Sequence, residues 1–357
     1  LNRADWQGSE SRKINPMLVN TLTLKPSKAS SYLKGKTPLE TVVIGAGLSK
    51  TFGFPLATEL LPRMIQWHAS RGSRDSIRPI LDFIHFFYPG FDTSTGQYPD
   101  AEDVMGMFDA VEEYSRLRHE GQKGFKWKGD IAVQLRIRFN KLLAQYLWSC
   151  HADMEVNNHA QLEPLRRFVR SKGPRVTYVT FNYDVLLEAA LSLEGIPYSY
   201  RLERVGTGTV VLKPHGSINW FIRTSSKLFE GPLWAELGPN VSVFRGLNRS
   251  LIPFTDENWK QVAIIAPTPH KVFPLFELKK TWTAFSSSVH SARSLTAIGY
   301  SLPDADRVSR LVLNRAGPRH DPSRTITVVN PADVTRVYSQ YISPSCTFIR
   351  KRFEEYA

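Results

Sequence analysis

Three apolar runs end abruptly in polar residues: TVVIGAGLS at residues 41–49, VTYVTFNYD at 176–184 and VLKPHGS at 211–217. Each is β-branched and continuously apolar, as in a strand buried on both faces, and each hands over to Gly, Asn, Asp or His at its C-terminal end. Further strand signals lie at 209–212, 262–266, 294–298, 325–329 and 346–349. Between 55 and 171 the period changes to apolar residues three and four apart. That predicts helices over 55–69, with Pro55 in a first-turn position, and over 76–88, 102–118, 130–149 and 161–171, with a turn-rich break at 88–100. Shorter helical patterns at 185–193, 275–288, 307–314 and 332–339 separate the later strands. Residues 221–260 are less regular and read as a loop-rich excursion near the site.

Strand–helix alternation of this kind predicts an α/β fold: a doubly wound, mainly parallel, Rossmann-like sheet. We divide the chain into an N-terminal arm, 1–38, and one domain, 39–357, in which 56–172 is a large helical insertion. In open α/β sheets ligands bind beyond the C-terminal ends of the strands, so the polar residues at those ends are the candidate site.

Gly45-Ala46-Gly47 leaves the first strand, 41–44. Glycines there let backbone N–H groups approach a pyrophosphate, or they make a tight turn and nothing more. A dinucleotide fingerprint would need a third glycine where Lys50 stands, and no P-loop is present. Asn182 offers both a donor and an acceptor. Asp184 can accept from a ligand amide, or cap the helix that begins VLLEAAL. His215 can take a proton from a hydroxyl or water, or serve as a structural hydrogen-bonding residue. His151, His159, His270, His290 and His320 stand in no comparable motif.

Composition narrows the classes. Of 357 residues 42% are hydrophobic and 22% charged, and charges interrupt the apolar runs well short of a bilayer span, so no membrane partner is expected. The first residues are polar, without the apolar core of a secretory signal, and begin without Met, as in a processed or trimmed chain. Two cysteines, Cys150 and Cys346, cannot form a Cys₄ zinc site and make a poor disulfide framework, which points to a reducing, cytoplasmic setting. The net charge of +13 admits nucleic acid as a partner. The basic clusters at 135–141 and 165–175 read either as solvated helix faces or as a nucleic-acid groove.

Taken in order, Gly45-Ala46-Gly47-Leu48-Ser49, Gly53-Phe54-Pro55, Thr180-Phe181-Asn182-Tyr183-Asp184, His215-Gly216, Gly299-Tyr300-Ser301 and Val329-Asn330 resemble the motifs of the sirtuin superfamily, whose members cleave the nicotinamide–ribose bond of NAD. The resemblance implies NAD as substrate. It places Asn182 and His215 in catalysis, and Gly45, Ala46, Gly47, Ser49, Pro55, Asp184 and Gly216 on the nucleotide. Gly299, Tyr300 and Ser301 fall on the adenosine side and Asn330 on the adenosine ribose. Leu56-Ala57-Thr58 stands where sirtuin deacylases have Asp-Phe-Arg, and no four-cysteine zinc ribbon can be built, so no zinc is expected.

The chain looks most like the bacterial sirtuin-like NADases of antiphage defence. That likeness implies a glycohydrolase yielding nicotinamide and ADP-ribose, acting by NAD depletion and restrained by homo-oligomerisation or by a partner ATPase or sensor protein. The alternatives are a nucleic-acid-binding regulatory subunit with a degenerate NAD pocket, and an NAD-dependent protein deacylase.

Overall fold

A computed structural model describes residues 40–92, 96–117, 129–157, 159–173, 175–200, 208–222, 234–238, 240–244, 262–265, 276–317 and 323–357. The expected arm, 1–38, lies outside them, as do His270 and His320 and most of 221–260.

Seven strands form one wholly parallel sheet: β1 (Glu40–Ile44), β2 (Val176–Thr180), β3 (Tyr198–Ser199), β4 (Thr209–Leu212), β9 (Ser294–Ile298), β10 (Thr325–Val329) and β11 (Thr347–Ile349), in the order β11-β10-β9-β1-β2-β4-β3. The chain starts in the middle, grows outward through β2, then returns across β1 to grow the other way from β9. The topological switch point therefore lies between β1 and β9. Continuous burial of Val42, Val43 and Ile44, and of the whole of β2, explains the unbroken apolar runs.

Register places the strand ends level. Ile44 pairs with Thr180 on one side and Ile298 on the other, and Ile298 pairs with Val329. The next residues, Gly45, Phe181, Gly299 and Asn330, thus emerge along one edge although they are spread over nearly 300 residues of sequence.

Between β1 and β2 run the short helix α1 (Ala46–Lys50) and the helical insertion: α2 (Ala57–Ser70), α3 (Arg74–Phe87), α4 (Ala101–Leu117), α5 (Gly129–Asn157) and α6 (Glu163–Lys172). The first insertion helix starts at Ala57, later than Pro55, because the Glu59 carboxylate takes the Leu56 N–H at 3.0 Å and fixes the start there. α5 is the central rod. Its Trp148 indole donates to the Ile218 carbonyl at 3.1 Å and its Asn140 amide to the Ile264 carbonyl at 3.1 Å.

Those two carbonyls belong to a second sheet that the sequence pattern did not reveal. β5 (Gly216–Ile222), β6 (Trp234–Gly238), β7 (Val241–Phe244) and β8 (Val262–Ile264) pair antiparallel in the order β6-β7-β5-β8. The run at 262–266 is therefore no member of the parallel sheet, and part of the expected excursion is ordered strand. Its own small core joins Trp220, Val241, Val243, Ala263 and Leu278. α7 (Leu186–Leu193), α8 (Phe276–Ser291), α9 (Arg307–Asn314), α10 (Thr335–Tyr341) and α11 (Phe353–Tyr356) complete the described helices. Among them none is long and apolar enough to cross a membrane.

Several residues of the basic helix faces are paired with carboxylates. Arg166 and Arg170 pair with Glu194 at 2.6 and 3.0 Å, Lys172 with Glu40 at 2.7 Å, and Arg136 with Asp109 at 2.6 Å. The described residues hold 26 Lys and Arg against 25 Asp and Glu, so nearly all of the +13 resides in the sequence outside them. In the clusters at 135–141 and 165–175, Arg136, Arg166, Arg170 and Lys172 are thus spent on carboxylates of the same fold.

The switch point tolerates no side chain at Gly299. A Cβ there would lie 2.3 Å from the Leu48 nitrogen, at φ +60°, whereas a Cβ on Gly53, at φ +84°, would meet nothing within 4 Å. Gly53→Ala should cost only the left-handed strain, about 1–2 kcal/mol. Gly299→Ala should cost at least about 3 kcal/mol, because overpacking against backbone adds to that strain. Urea unfolding of the two variants measures the difference.

Candidate functional site

At the end of β1 the chain bends so that backbone meets backbone. Gly45 N–H donates to the Ile298 carbonyl at 3.0 Å and Gly47 N–H to the Gly299 carbonyl at 2.9 Å. A Cβ on Gly45 would stand 2.6 Å from the Gly299 oxygen, and one on Gly47 2.8 Å from the Gly299 Cα. The glycines here serve close approach, and the Gly47 amide expected to face a phosphate is already spent on Gly299.

Asn182 reaches across from the end of β2. Its Nδ2 donates to the Gly45 carbonyl at 3.0 Å and to Ser49 Oγ at 2.8 Å. A carbonyl oxygen can only accept, which fixes the amide orientation with nitrogen toward Gly45. The Ser49 hydroxyl in turn donates to Asp184 Oδ2 at 2.7 Å, while Asp184 Oδ1 accepts the Leu186 N–H at 3.1 Å. Asp184 therefore holds the first N–H of α7 in an Asx turn, one residue ahead of the Val185 N-cap, and anchors Ser49. Burial pushes its carboxyl above the usual range, opposed by Lys213, Ser49 and the Leu186 amide. With both amide protons committed, Asn182 has its Oδ1, an acceptor, left to offer.

His215 stands beyond β4, in the turn into β5. Its Nε2 lies 3.3 Å from Asp306 Oδ2, and both side chains are buried. Phe181, Trp282 and Tyr183 surround the imidazole at centroid distances of 5.0, 6.0 and 6.4 Å. The Trp282 indole pins the turn through the Pro214 carbonyl at 2.9 Å. Gly216, at φ +80°, follows, where a Cβ would fall 1.9 Å from the Ala263 oxygen.

The remaining expected residues divide. Tyr300 turns inward: its ring stacks on Phe181 at 4.4 Å and its hydroxyl donates to Asp306 at 2.8 Å, so it braces His215 and does not line an open edge. Ser301 is exposed beside it, Ala46 is half-buried at the edge, and Pro55 is buried ahead of α2. Asn330 is level with Gly299, but its side chain closes an Asx turn on the Ala332 N–H at 3.0 Å.

Residues 176–333 match the model of the SIR2-like domain. The match runs from β2 past β10, taking in Asn182, Asp184, His215, Gly299 and Asn330 and leaving out the Gly45 turn. Similar solved structures include Sir2Tm bound to a propionylated peptide, at 12% identity, covering 92% of this chain and 95% of that one with a TM-score of 0.36. A Sir2–p53 peptide–NAD+ complex is 13% identical, covering 93% and 95% with a TM-score of 0.37. Likeness at that level supports no transfer of residue roles. No curated protein matches the chain.

Within residues 176–333 lies a buried polar network that the sequence pattern did not reveal. Lys213 is fully buried. Its ammonium donates to the Asp184 backbone carbonyl and to Glu188 Oε1, the latter at 3.0 Å. The Tyr200 hydroxyl also donates to Glu188, at 2.9 Å. Lys213 thus ties the His215 strand to the Asp184 turn from beneath. A lysine in the otherwise apolar run VVLK was the available signal. His151, from α5, supports the same turn by accepting the Val185 N–H at 3.0 Å. Burial drives its pKa down to about 3, so it acts as a neutral acceptor. Among the described residues no three His, Cys, Asp or Glu side chains cluster to hold a metal.

Lys213→Met should destabilise the protein by about 3–5 kcal/mol, because the buried Glu188 carboxylate is left without its cation. Combining Lys213→Met with Glu188→Leu should recover much of that loss. Denaturant unfolding of the single and double variants reads the difference directly.

Proposed function

We propose that the chain is an NAD glycohydrolase that cleaves the nicotinamide–ribose bond, releasing nicotinamide and ADP-ribose, and that it serves as a regulated effector of bacterial antiphage defence through NAD depletion in the cytoplasm. What supports this most is one arrangement: Asn182, Ser49 and Asp184 linked against Gly45 at the switch point, with His215 at the neighbouring strand end.

The chemistry follows from those groups. As the C–N bond lengthens, nicotinamide leaves with the bonding pair and positive charge develops on the ribose. The Asn182 Oδ1 orients the attacking water or a ribose hydroxyl, and His215 takes the proton released as the new C–O bond forms. In balance, NAD and water give nicotinamide, ADP-ribose and a proton. The reading favours hydrolysis over deacylation because residues 56–58, in place of Asp-Phe-Arg, are spent on starting α2.

Such an enzyme needs restraint. We assign that control to homo-oligomerisation or to a partner ATPase or sensor, with the arm at 1–38 and the insertion as contact regions. A nucleic-acid trigger is the second reading, favoured by the basic excess outside the described residues: 20 Lys and Arg against 8 Asp and Glu.

Purified protein should release nicotinamide from NAD without any acyl-lysine peptide, and His215→Ala and Asn182→Ala should each lower the rate about 10²–10⁴-fold. Release that requires an acyl-lysine peptide would replace this reading with a deacylase. Salt-dependent DNA binding by folded protein with no release would replace it with a regulatory subunit.

A further inference from the structure

We propose that Asp306 is the positioning residue of His215, holding its Nε2–H and stabilising the imidazolium, and that the loop from Gly299 to Asp306 is shaped to deliver that carboxylate. The proposal rests on the NAD-cleaving reading for its kinetic consequences, but its geometry stands apart from it.

The carboxylate arrives from 91 residues downstream of His215. Its side chain is fully buried, with Oδ2 3.3 Å from His215 Nε2 and 2.8 Å from the Tyr300 hydroxyl. Such burial is unfavourable unless the charge is met by donors. The tyrosine supplies one and the imidazole N–H the other.

Much of the loop serves to keep it there. Leu302 has φ +55°, the one positive-φ residue other than glycine among those described. Strain of that kind persists only where surrounding contacts hold it. The Leu302 carbonyl accepts from the Arg310 guanidinium, with Nε at 3.1 Å, and the same guanidinium pairs with Asp304 at 2.7 Å and lies over the Tyr341 ring at 4.4 Å. The Tyr338 hydroxyl holds the Tyr300 carbonyl at 2.9 Å. The Asp306 N–H returns to Pro303 at 3.1 Å.

A carboxylate beside Nε2 places the neutral ring's proton there, so Nδ1 carries the lone pair. It also favours the protonated imidazole formed when His215 takes a proton. Among the described residues the following ionisable groups bear on the ring. Asp306 comes from the loop before α9 and reaches it directly. Tyr183 comes from the turn after β2 and Tyr300 acts through Asp306. Asp100 and Glu102, at the start of α4, act on Tyr183. Lys213, two residues before His215, is turned away toward Asp184 and Glu188. Asp306 is the one anion at hydrogen-bonding range among these.

The test pairs kinetics with spectroscopy. Asp306→Asn should lower kcat for nicotinamide release about 10–100-fold with little change in KM. It should also move the acid limb of kcat/KM to lower pH, since losing the anion lowers the His215 pKa. In a His215→Ala background the same substitution should have no further effect. A raised KM alone, an unmoved acid limb or additive losses would overturn the proposal.

Nitrogen-15 NMR of histidine-labelled wild-type protein, with His215→Ala to assign the signal, needs no Asp306 variant to fold. A neutral His215 protonated at Nε2 is expected, and protonation at Nδ1 would overturn it. If wild type releases no nicotinamide, the functional reading fails while the NMR result still decides the Asp306–His215 pair.

Discussion

Everything at the site depends on how closely β1 and β9 approach beyond their last paired residues. Ile44 and Ile298 are level, and the chain then crosses Gly45 and Gly47 over Gly299 with no room for a methyl group. That contact sets the direction of α1, places Ser49 beneath Asn182, and starts the loop that ends at Asp306. A doubly wound sheet opens a crevice where its two halves diverge. Here the glycines narrow the crevice floor, and polar side chains from four strand ends gather above it.

The gathered groups are held by neighbours chosen for rigidity. Asn182 is fixed by two acceptors and Asp184 by two donors. His215 is fixed by aromatic rings and a carboxylate. Lys213 secures the same turn from the end of β4 and His151 from the insertion. Under the proposed function such a site needs little rearrangement of its own side chains, which is where preorganised polar groups are most effective. The same bonds account for a lysine and a histidine buried here, since each is spent on the turn at Asp184 and Val185.

Legibility in the sequence followed the range of the interactions. Six of the seven parallel strands were readable because they carry short apolar runs, the two-residue β3 being the exception, and the insertion helices because their apolar residues recur three and four apart. That Asn182, Asp184 and His215 follow strand ends was readable because each comes after an apolar run that breaks into polar residues. The antiparallel sheet was not. Val262–Ile264 is as apolar as any parallel strand, and its pairing with β5 is set by partners distant in sequence. Asp306 was hidden for the same reason, since nothing near LPDAD announces a histidine 91 residues earlier. Tyr300 read as an edge residue because its position was known and its rotamer was not; the stack on Phe181 turned it inward.

The measurement that bears most directly on this account is a crystal structure of the His215→Ala protein soaked with NAD. The account places the diphosphate over the β1–β9 crevice and the nicotinamide ribose within hydrogen-bonding distance of Asn182 Oδ1, beside the space vacated by the imidazole. NAD bound elsewhere, or no NAD at that edge under saturating conditions, would contradict it.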